Sequence, residues 1–173
     1  MYNKIYIIGS VASGKTTLAT HLSNKLNIAS YELDKIIYDD DKGNVKRTEE
    51  EVKCLFDKII NKKVWIIEDV GRKIFIEGLQ KADVVYYLKM SKVTIYKRCI
   101  TRWLKQKLNL EIYNYKPTLK SLFQMLKWAK DYFKNETTKI EYINSNSKNI
   151  RILKRKDIKK LTEETNKKQK EVR

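Results

Sequence analysis

Gly9-Ser10-Val11-Ala12-Ser13-Gly14-Lys15-Thr16 is the stretch of this 173-residue chain whose residue types and spacing by themselves specify chemistry. It fits G-x-x-x-x-G-K-[ST], the pattern of a loop built to hold phosphate. Gly9 and Gly14 let the backbone turn and approach an anion with no Cβ in the way. The N–H groups of the loop then converge at a helix N-terminus, where the helix dipole also favours negative charge. Lys15 adds a point charge for the β- and γ-phosphates, and the Thr16 hydroxyl is suited to Mg²⁺. The string would arise by chance in roughly one chain in a hundred of this length, and the strand-like run before it and amphipathic run after it make chance rarer still. The pattern implies a nucleoside triphosphate site, for ATP with Mg²⁺, formed by Gly9, Ser10, Ala12, Ser13, Gly14, Lys15, Thr16 and Thr17.

Triphosphate binding is common to switches, motors and kinases, so the remaining groups must discriminate. Tyr31-Glu32-Leu33-Asp34 and Val64-Trp65-Ile66-Ile67-Glu68-Asp69 each end an apolar run in carboxylates, at the strand ends where ligands of such sheets sit. Glu68 or Asp69 is suited to Mg²⁺, directly or through water. Asp34 is placed to orient or deprotonate an acceptor hydroxyl. Arg72, after Gly71, carries the planar fork that grips phosphate or carboxylate. Arg98 and Arg102 are an i, i+4 pair on one helix face and could clamp a transferring phosphoryl group. Arg47 is a further acceptor-side candidate. For each there is a plainer reading, an acid that ends a strand or a solvated helix face. His21, the single histidine, reads as structural. The chain holds no Asn/Thr-Lys-x-Asp segment of the kind that selects guanine.

These groups need elements to position them. Lys4–Ile8 and Ile28–Leu33 are short apolar runs of strand type, as are Val64–Glu68, Asp83–Leu88 and Ile150–Leu153. Between them lie helical patterns. Lys15–Leu26 has Leu18, Leu22 and Leu26 on one face, and Thr48 with Glu51 forms a capping box for a helix to about Asn61. A short helical piece follows Gly71-Arg72. Ser91 caps a long helix with Val93, Tyr96, Ile100 and Trp103 on one side. Tyr113–Pro117 interrupts, and Leu119, Leu122, Phe123, Leu126, Ala129 and Phe133 mark another amphipathic helix. Asp157–Thr165 closes the chain. Asp39 to Asn44 reads as loop. Strands separated by helices imply parallel crossovers and a sheet covered on both faces, an α/β fold.

Composition narrows the class. The chain has the length of one domain, and 42% apolar residues are enough for a core. No apolar run approaches the roughly 20 residues of a membrane helix, and the first residues do not form a signal peptide. Together with two isolated cysteines, Cys54 and Cys99, read as small apolar helix residues, this leads us to expect a cytoplasmic protein. The net charge of +17 is uneven: residues 1–86 carry 14 Lys and Arg against 13 Asp and Glu, residues 87–173 carry 24 against 8. An electrostatic footprint for nucleotide or nucleic-acid phosphate is one reading. Compositional drift toward Lys is the other. The basic end, about 166–173, is expected to fray.

The alternation of elements, the early GSVASGKT, the Asp after the second strand and the E-D-V-G-R turn resemble the small nucleoside-monophosphate-kinase-like P-loop proteins. The turn is similar to the D-G-F-P-R of adenylate kinases, with Glu68 in place of the Asp and Arg72 matching the Arg. Over about residues 3–165 the chain also resembles the bacterial proteins labelled DNA topology modulation protein. Tyr31-Glu32-Leu33-Asp34, Trp65-Ile66-Ile67-Glu68, Ala82-Asp83-Val84-Val85, the Arg98/Arg102 helix and Lys127-Trp128-Ala129 carry that likeness. The resemblance implies a three-layer P-loop NTPase fold, with a five-stranded parallel sheet, the P-loop strand in its middle, and a mobile helical lid around 98–117. Two departures stand out. Residues 35–47 lack the Arg-bearing helix that adenylate kinases use on the acceptor monophosphate, and the lid has mostly Lys after Arg102.

The expectation is therefore a single-domain ATP-dependent phosphotransferase, monomeric or homodimeric, acting on a small acceptor such as a nucleoside or nucleotide. Lys15 and the loop would hold the triphosphate, Thr16 and Glu68 the metal. Arg98 and Arg102 would stabilise the transferring group, while Asp34, Arg47 and Arg72 face the acceptor. The alternative is an ATP-dependent nucleic-acid-binding or regulatory protein affecting DNA topology, with the basic half as its DNA surface.

Overall fold

A computed structural model of the chain describes residues 2–39, 41–110 and 117–170, the last eight as backbone. Strand β1 (Lys4–Gly9) runs into the phosphate loop and helix α1 (Lys15–Leu26), then β2 (Ser30–Glu32) and α2 (Leu33–Ile37). A small hairpin, β3 (Tyr38–Asp39) with β4 (Val45–Lys46), leads to α3 (Glu49–Ile60) and β5 (Trp65–Asp69). A 3₁₀ turn (Lys73–Phe75) and α4 (Ile76–Lys81) precede β6 (Val84–Leu88). Helices α5 (Lys92–Lys107), α6 (Leu119–Lys134) and α7 (Glu136–Ser145) follow, and β7 (Ile150–Leu153) and α8 (Arg155–Lys170) finish the fold.

The main sheet has the order β2-β5-β1-β6-β7 with every pairing parallel. This is the five-stranded parallel sheet implied by the resemblance, with β1 at its centre. The near-continuous apolar strands are explained by burial on both faces. Tyr6, Ile8, Trp65, Ile67, Val85 and Tyr87 point to one side, into a core with α3 and α4. Ile5, Ile7, Ile66, Val84 and Tyr86 point to the other, against Leu18, Ala19 and Leu22 of α1. A third cluster joins α5 to α6 through Ile95, Cys99, Met125 and Ala129. Each fully buried Ile contributes about 1.5–3 kcal/mol relative to exposure. No helix among the described residues is long and apolar enough to cross a membrane.

Several expectations change. The second strand is three residues rather than six, so Asp34 lies in the first turn of α2 and not at a strand end. The Asp39–Asn44 region is in part a hairpin, turned by Gly43 and Asn44 at positive φ. The apolar side read for α5 is divided: Tyr96 and Trp103 pack partly buried on the third cluster, but Val93 is 76% exposed and Ile100 43%, while Ile95, Cys99 and Gln106 are buried. In α6, Leu122, Leu126, Ala129 and Phe133 of the expected stripe do pack on the third cluster, while Leu119 and Phe123 are exposed and Met125 and Tyr132 are buried. In both helices Lys is so frequent on all sides that more than one apolar stripe can be drawn. Cys54 is exposed and only Cys99 is buried, because α3 faces inward through Val52, Phe56, Ile59 and Ile60. Helix α7 has no counterpart in the sequence reading, and α8 runs on beyond Thr165. The proposed lid interruption falls mostly on residues outside those described, as does the last part of the basic tail.

Candidate functional site

The loop after β1 has the conformation its glycines permit. A Cβ on Gly9 would lie 2.5 Å from Ser13 Oγ and 3.1 Å from Leu88 Cβ, so no side chain fits. Gly14 at φ 100° is the residue before α1, and Ala12 also has positive φ. The Ser13 amide donates to the Ser10 carbonyl at 3.3 Å, closing the turn. No side chain caps α1 and no acid sits in its first turn, which leaves its amides and dipole to an anion. Lys15 Nζ lies across the loop, donating to the Ser10 carbonyl at 3.0 Å. Burial lowers its pKa, while Glu68, Asp69 and Asp34 favour the charged form. Thr16 and Thr17 are exposed at the start of α1. Arg98 reaches the loop from α5: Nη1 donates to the Ser13 carbonyl at 2.9 Å and to Ala12 at 3.3 Å. Burial and nearby Arg155 lower its pKa. Arg102, one turn on, is exposed.

Sheet register brings the carboxylates to the same edge. Glu68 pairs with Ile7 of β1 and Glu32 of β2, two residues short of the loop. Its side chain is buried, and neither carboxylate oxygen has a hydrogen-bond partner. Burial raises its pKa, against the pull of the Thr16 hydroxyl and the Lys15 ammonium. A buried carboxylate with unsatisfied oxygens, facing a hydroxyl at the head of a phosphate-binding helix, fits a divalent cation. Among the described residues, no group of three or more His, Cys, Asp or Glu could hold a metal on protein ligands alone. A hard cation held mainly by phosphate oxygens and water needs no such group.

Asp69 is engaged elsewhere, which separates it from Glu68. Its Oδ2 accepts from the amides of Gly71 at 2.7 Å and Arg72 at 2.6 Å, and its Oδ1 accepts from Arg72 Nη1. Arg72 Nη2 donates to Asp34 Oδ1. One guanidinium thus bridges two carboxylates, Asp69 at the end of β5 and Asp34 in the first turn of α2. Burial opposes its charge, but Asp69 and Asp34 outweigh it and raise the Arg72 pKa.

Arg47 is not brought to this group. Its Nη1 donates to the carbonyls of Lys35 at 2.8 Å, Ile36 at 3.1 Å and Tyr38 at 2.9 Å, and its Nη2 pairs with Asp39 at 3.2 Å. There it satisfies the end of α2 and pins the β3–β4 hairpin. Lys139 of α7, which sequence reasoning did not single out, does reach the site's edge, donating to the Val70 carbonyl at 2.8 Å. Among 38 Lys and Arg, no signal in the sequence distinguishes it.

No family model matches the chain, and no curated protein matches it in sequence. Solved structures match over nearly the whole chain. Shikimate kinase from Acinetobacter baumannii, in complex with shikimate, has a TM-score of 0.59 at 14% identity, covering 94% of this chain and 89% of that one. Shikimate kinase from Bacteroides thetaiotaomicron has a TM-score of 0.58 at 13% identity, covering 98% and 99%. An unliganded sugar kinase from Janibacter sp. has a TM-score of 0.51 at 13% identity, covering 92% and 90%. At such identities the likeness shows the fold alone, the five-stranded P-loop α/β fold that these structures share with the chain.

Proposed function

We propose that the chain is an ATP-dependent P-loop kinase that moves the γ-phosphoryl group of ATP to a hydroxyl of a small acceptor. The observation that carries this reading is Glu68, whose unsatisfied buried carboxylate faces Thr16 and Lys15 at the head of α1. Thr16 and Glu68 would hold Mg²⁺, which would offset charge on the β- and γ-phosphates. The loop amides and Lys15 bind and align the triphosphate. Asp34, held by Arg72, orients the acceptor hydroxyl, whose oxygen attacks the γ-phosphorus as the bond to the β-phosphate oxygen breaks. The hydroxyl proton leaves to Asp34 or water. Arg98 ties the loop to α5 and, with Arg102, offers positive charge to the transferring group. Little covalent chemistry is asked of the protein, and most of the rate comes from alignment and charge neutralisation.

Several features support a small acceptor other than AMP. The fold neighbours are a shikimate kinase and a sugar kinase, and Arg47 is engaged in its own hairpin. The resemblance to the topology modulation proteins names no acceptor, and no family model or curated protein matches the chain to support it. The test is ATP consumption with Mg²⁺ against a panel of nucleosides, nucleotides, sugars and small hydroxy acids, with Lys15→Ala as control. One compound should accelerate ADP formation and itself be phosphorylated, and Lys15→Ala should lower that rate at least about a hundredfold. If ATP binds and no panel member is phosphorylated, the charge of the second half favours the nucleic-acid-binding or regulatory reading.

A further inference from the structure

The segment Asp69-Val70-Gly71-Arg72 leaves β5 and reverses at Gly71, whose φ is 83°. From within it Asp69 and Arg72 hold each other and Arg72 holds Asp34. Val70 lies beyond the last strand residue, and its carbonyl accepts from Lys139 Nζ at 2.8 Å. The Lys139 stem packs on the same turn: a Cβ on Gly71 would meet Lys139 Cδ at 3.3 Å and Ile8 Cγ2 at 3.2 Å. Gly71 is therefore favoured by its backbone conformation, and a Cβ there would press on Ile8 and the Lys139 stem.

The ammonium sits above the Tyr132 ring, 4.6 Å from its centroid, a distance at which the ring face attracts a cation. That ring is itself fixed. Tyr132 is buried and stacks on Tyr87 at 6.5 Å, and Tyr87 donates to Glu136 Oε1 at 3.4 Å. Glu136 and Lys139 both belong to α7, three residues apart. The cation is thus held between an aromatic floor and one carbonyl, in reach of the charges of Asp69, Arg72 and Lys15.

We propose that Lys139 is a positioning residue of the acceptor side: from α7 it locks the β5 turn, by the Val70 carbonyl and the Gly71 backbone, so that Arg72 stays between Asp69 and Asp34. The kinase reading enters only in what Arg72 and Asp34 then act on. Helix α7 follows directly on α6, so the helices beyond β6 are tied to the acceptor side through this contact.

The test uses the full chain without acceptor. Lys139→Met keeps the stem and removes the ammonium, and Lys139→Arg restores a donor and a cation over Tyr132. Amide hydrogen exchange is followed at Gly71 and Arg72, together with the ¹⁵N resonance of Arg72 Nε and the affinity for Mg·ATP. In Lys139→Met, exchange at both amides should rise about tenfold and the Nε resonance should move. Mg·ATP affinity should stay within about twofold, and Lys139→Arg should restore both signals. Unchanged exchange and resonance in folded Lys139→Met would overturn the proposal. So would failure of Lys139→Arg to restore them. If Lys139→Met does not fold, Lys139→Gln, which keeps a neutral donor, should show the same changes in smaller measure, and no change overturns it. None of these readouts depends on phosphoryl transfer, so failure of the kinase reading leaves this result standing on its own.

Discussion

At the residue scale, the proposed chemistry rests on the contrast between Glu68 and Asp69. They are neighbours on one strand, yet Asp69 accepts from two backbone amides and a guanidinium while Glu68 has no hydrogen-bond partner. A carboxylate whose pKa is raised by folding binds protons more readily in the native state than in the unfolded one. Its charged form therefore costs stability, and the cost grows as pH rises above the ordinary Glu value of about 4.3 and vanishes below it. Glu68→Gln should accordingly stabilise the metal-free protein near neutral pH by about 1 kcal/mol. In a thermal melt that is about 2–4 °C, and the gain should disappear in acid. The same variant should weaken the Mg²⁺ dependence of ATP binding. Equal melting temperatures at neutral pH, with Mg²⁺ dependence intact, would remove Glu68 from the metal site.

At the element scale, the short elements after β2 give Arg47 its work. Helix α2 has five residues and ends where Arg47 collects the carbonyls of Lys35, Ile36 and Tyr38. Removing those donors leaves the part-buried Ile36 carbonyl unsatisfied and the Lys35 and Tyr38 carbonyls to water, so the net loss is about 1–3 kcal/mol in all. Arg47→Ala should lower the urea midpoint by an amount equivalent to about 1–3 kcal/mol without altering ATP affinity. A variant of unchanged stability that binds acceptor poorly would return Arg47 to the acceptor set. The capping box at Thr48 and Glu51, with the Glu51 amide donating to Thr48 Oγ1 at 3.2 Å and the Thr48 amide to Glu51 Oε2 at 2.9 Å, then starts α3 at once. Thus the hairpin and α3 form a braced segment beside Asp34.

At the scale of the whole molecule, the charge of residues 87–173 lies on α5, α6 and the elements after them, with many Lys spread over exposed helix faces. Spread charge of this kind favours sequence-independent contact with phosphates. Duplex DNA should bind in the non-specific range, about 10⁻⁴–10⁻⁶ M at physiological salt, with affinity falling steeply as salt rises. Tight binding to one sequence, read by titration across salt, would instead make the basic half a recognition surface. What the sequence alone determined is local. The phosphate loop is legible because Gly9, Gly14, Lys15 and Thr16 each answer a requirement of holding one anion at a fixed spacing. The central strands are legible because burial on both faces leaves them continuously apolar, and the start of α3 because its capping box spans four residues. What only the tertiary structure decided is relational. Which side of α5 turns inward depends on the neighbours it meets, and two apolar stripes on a Lys-rich helix are alike until they meet them. Which of Glu68 and Asp69 keeps its carboxylate oxygens unpaired depends on the turn that engages the other. That Lys139 reaches the Gly71 turn depends on topology alone: segments 69 residues apart in sequence meet at the C-terminal end of β5, and no residue type announces such a meeting beforehand.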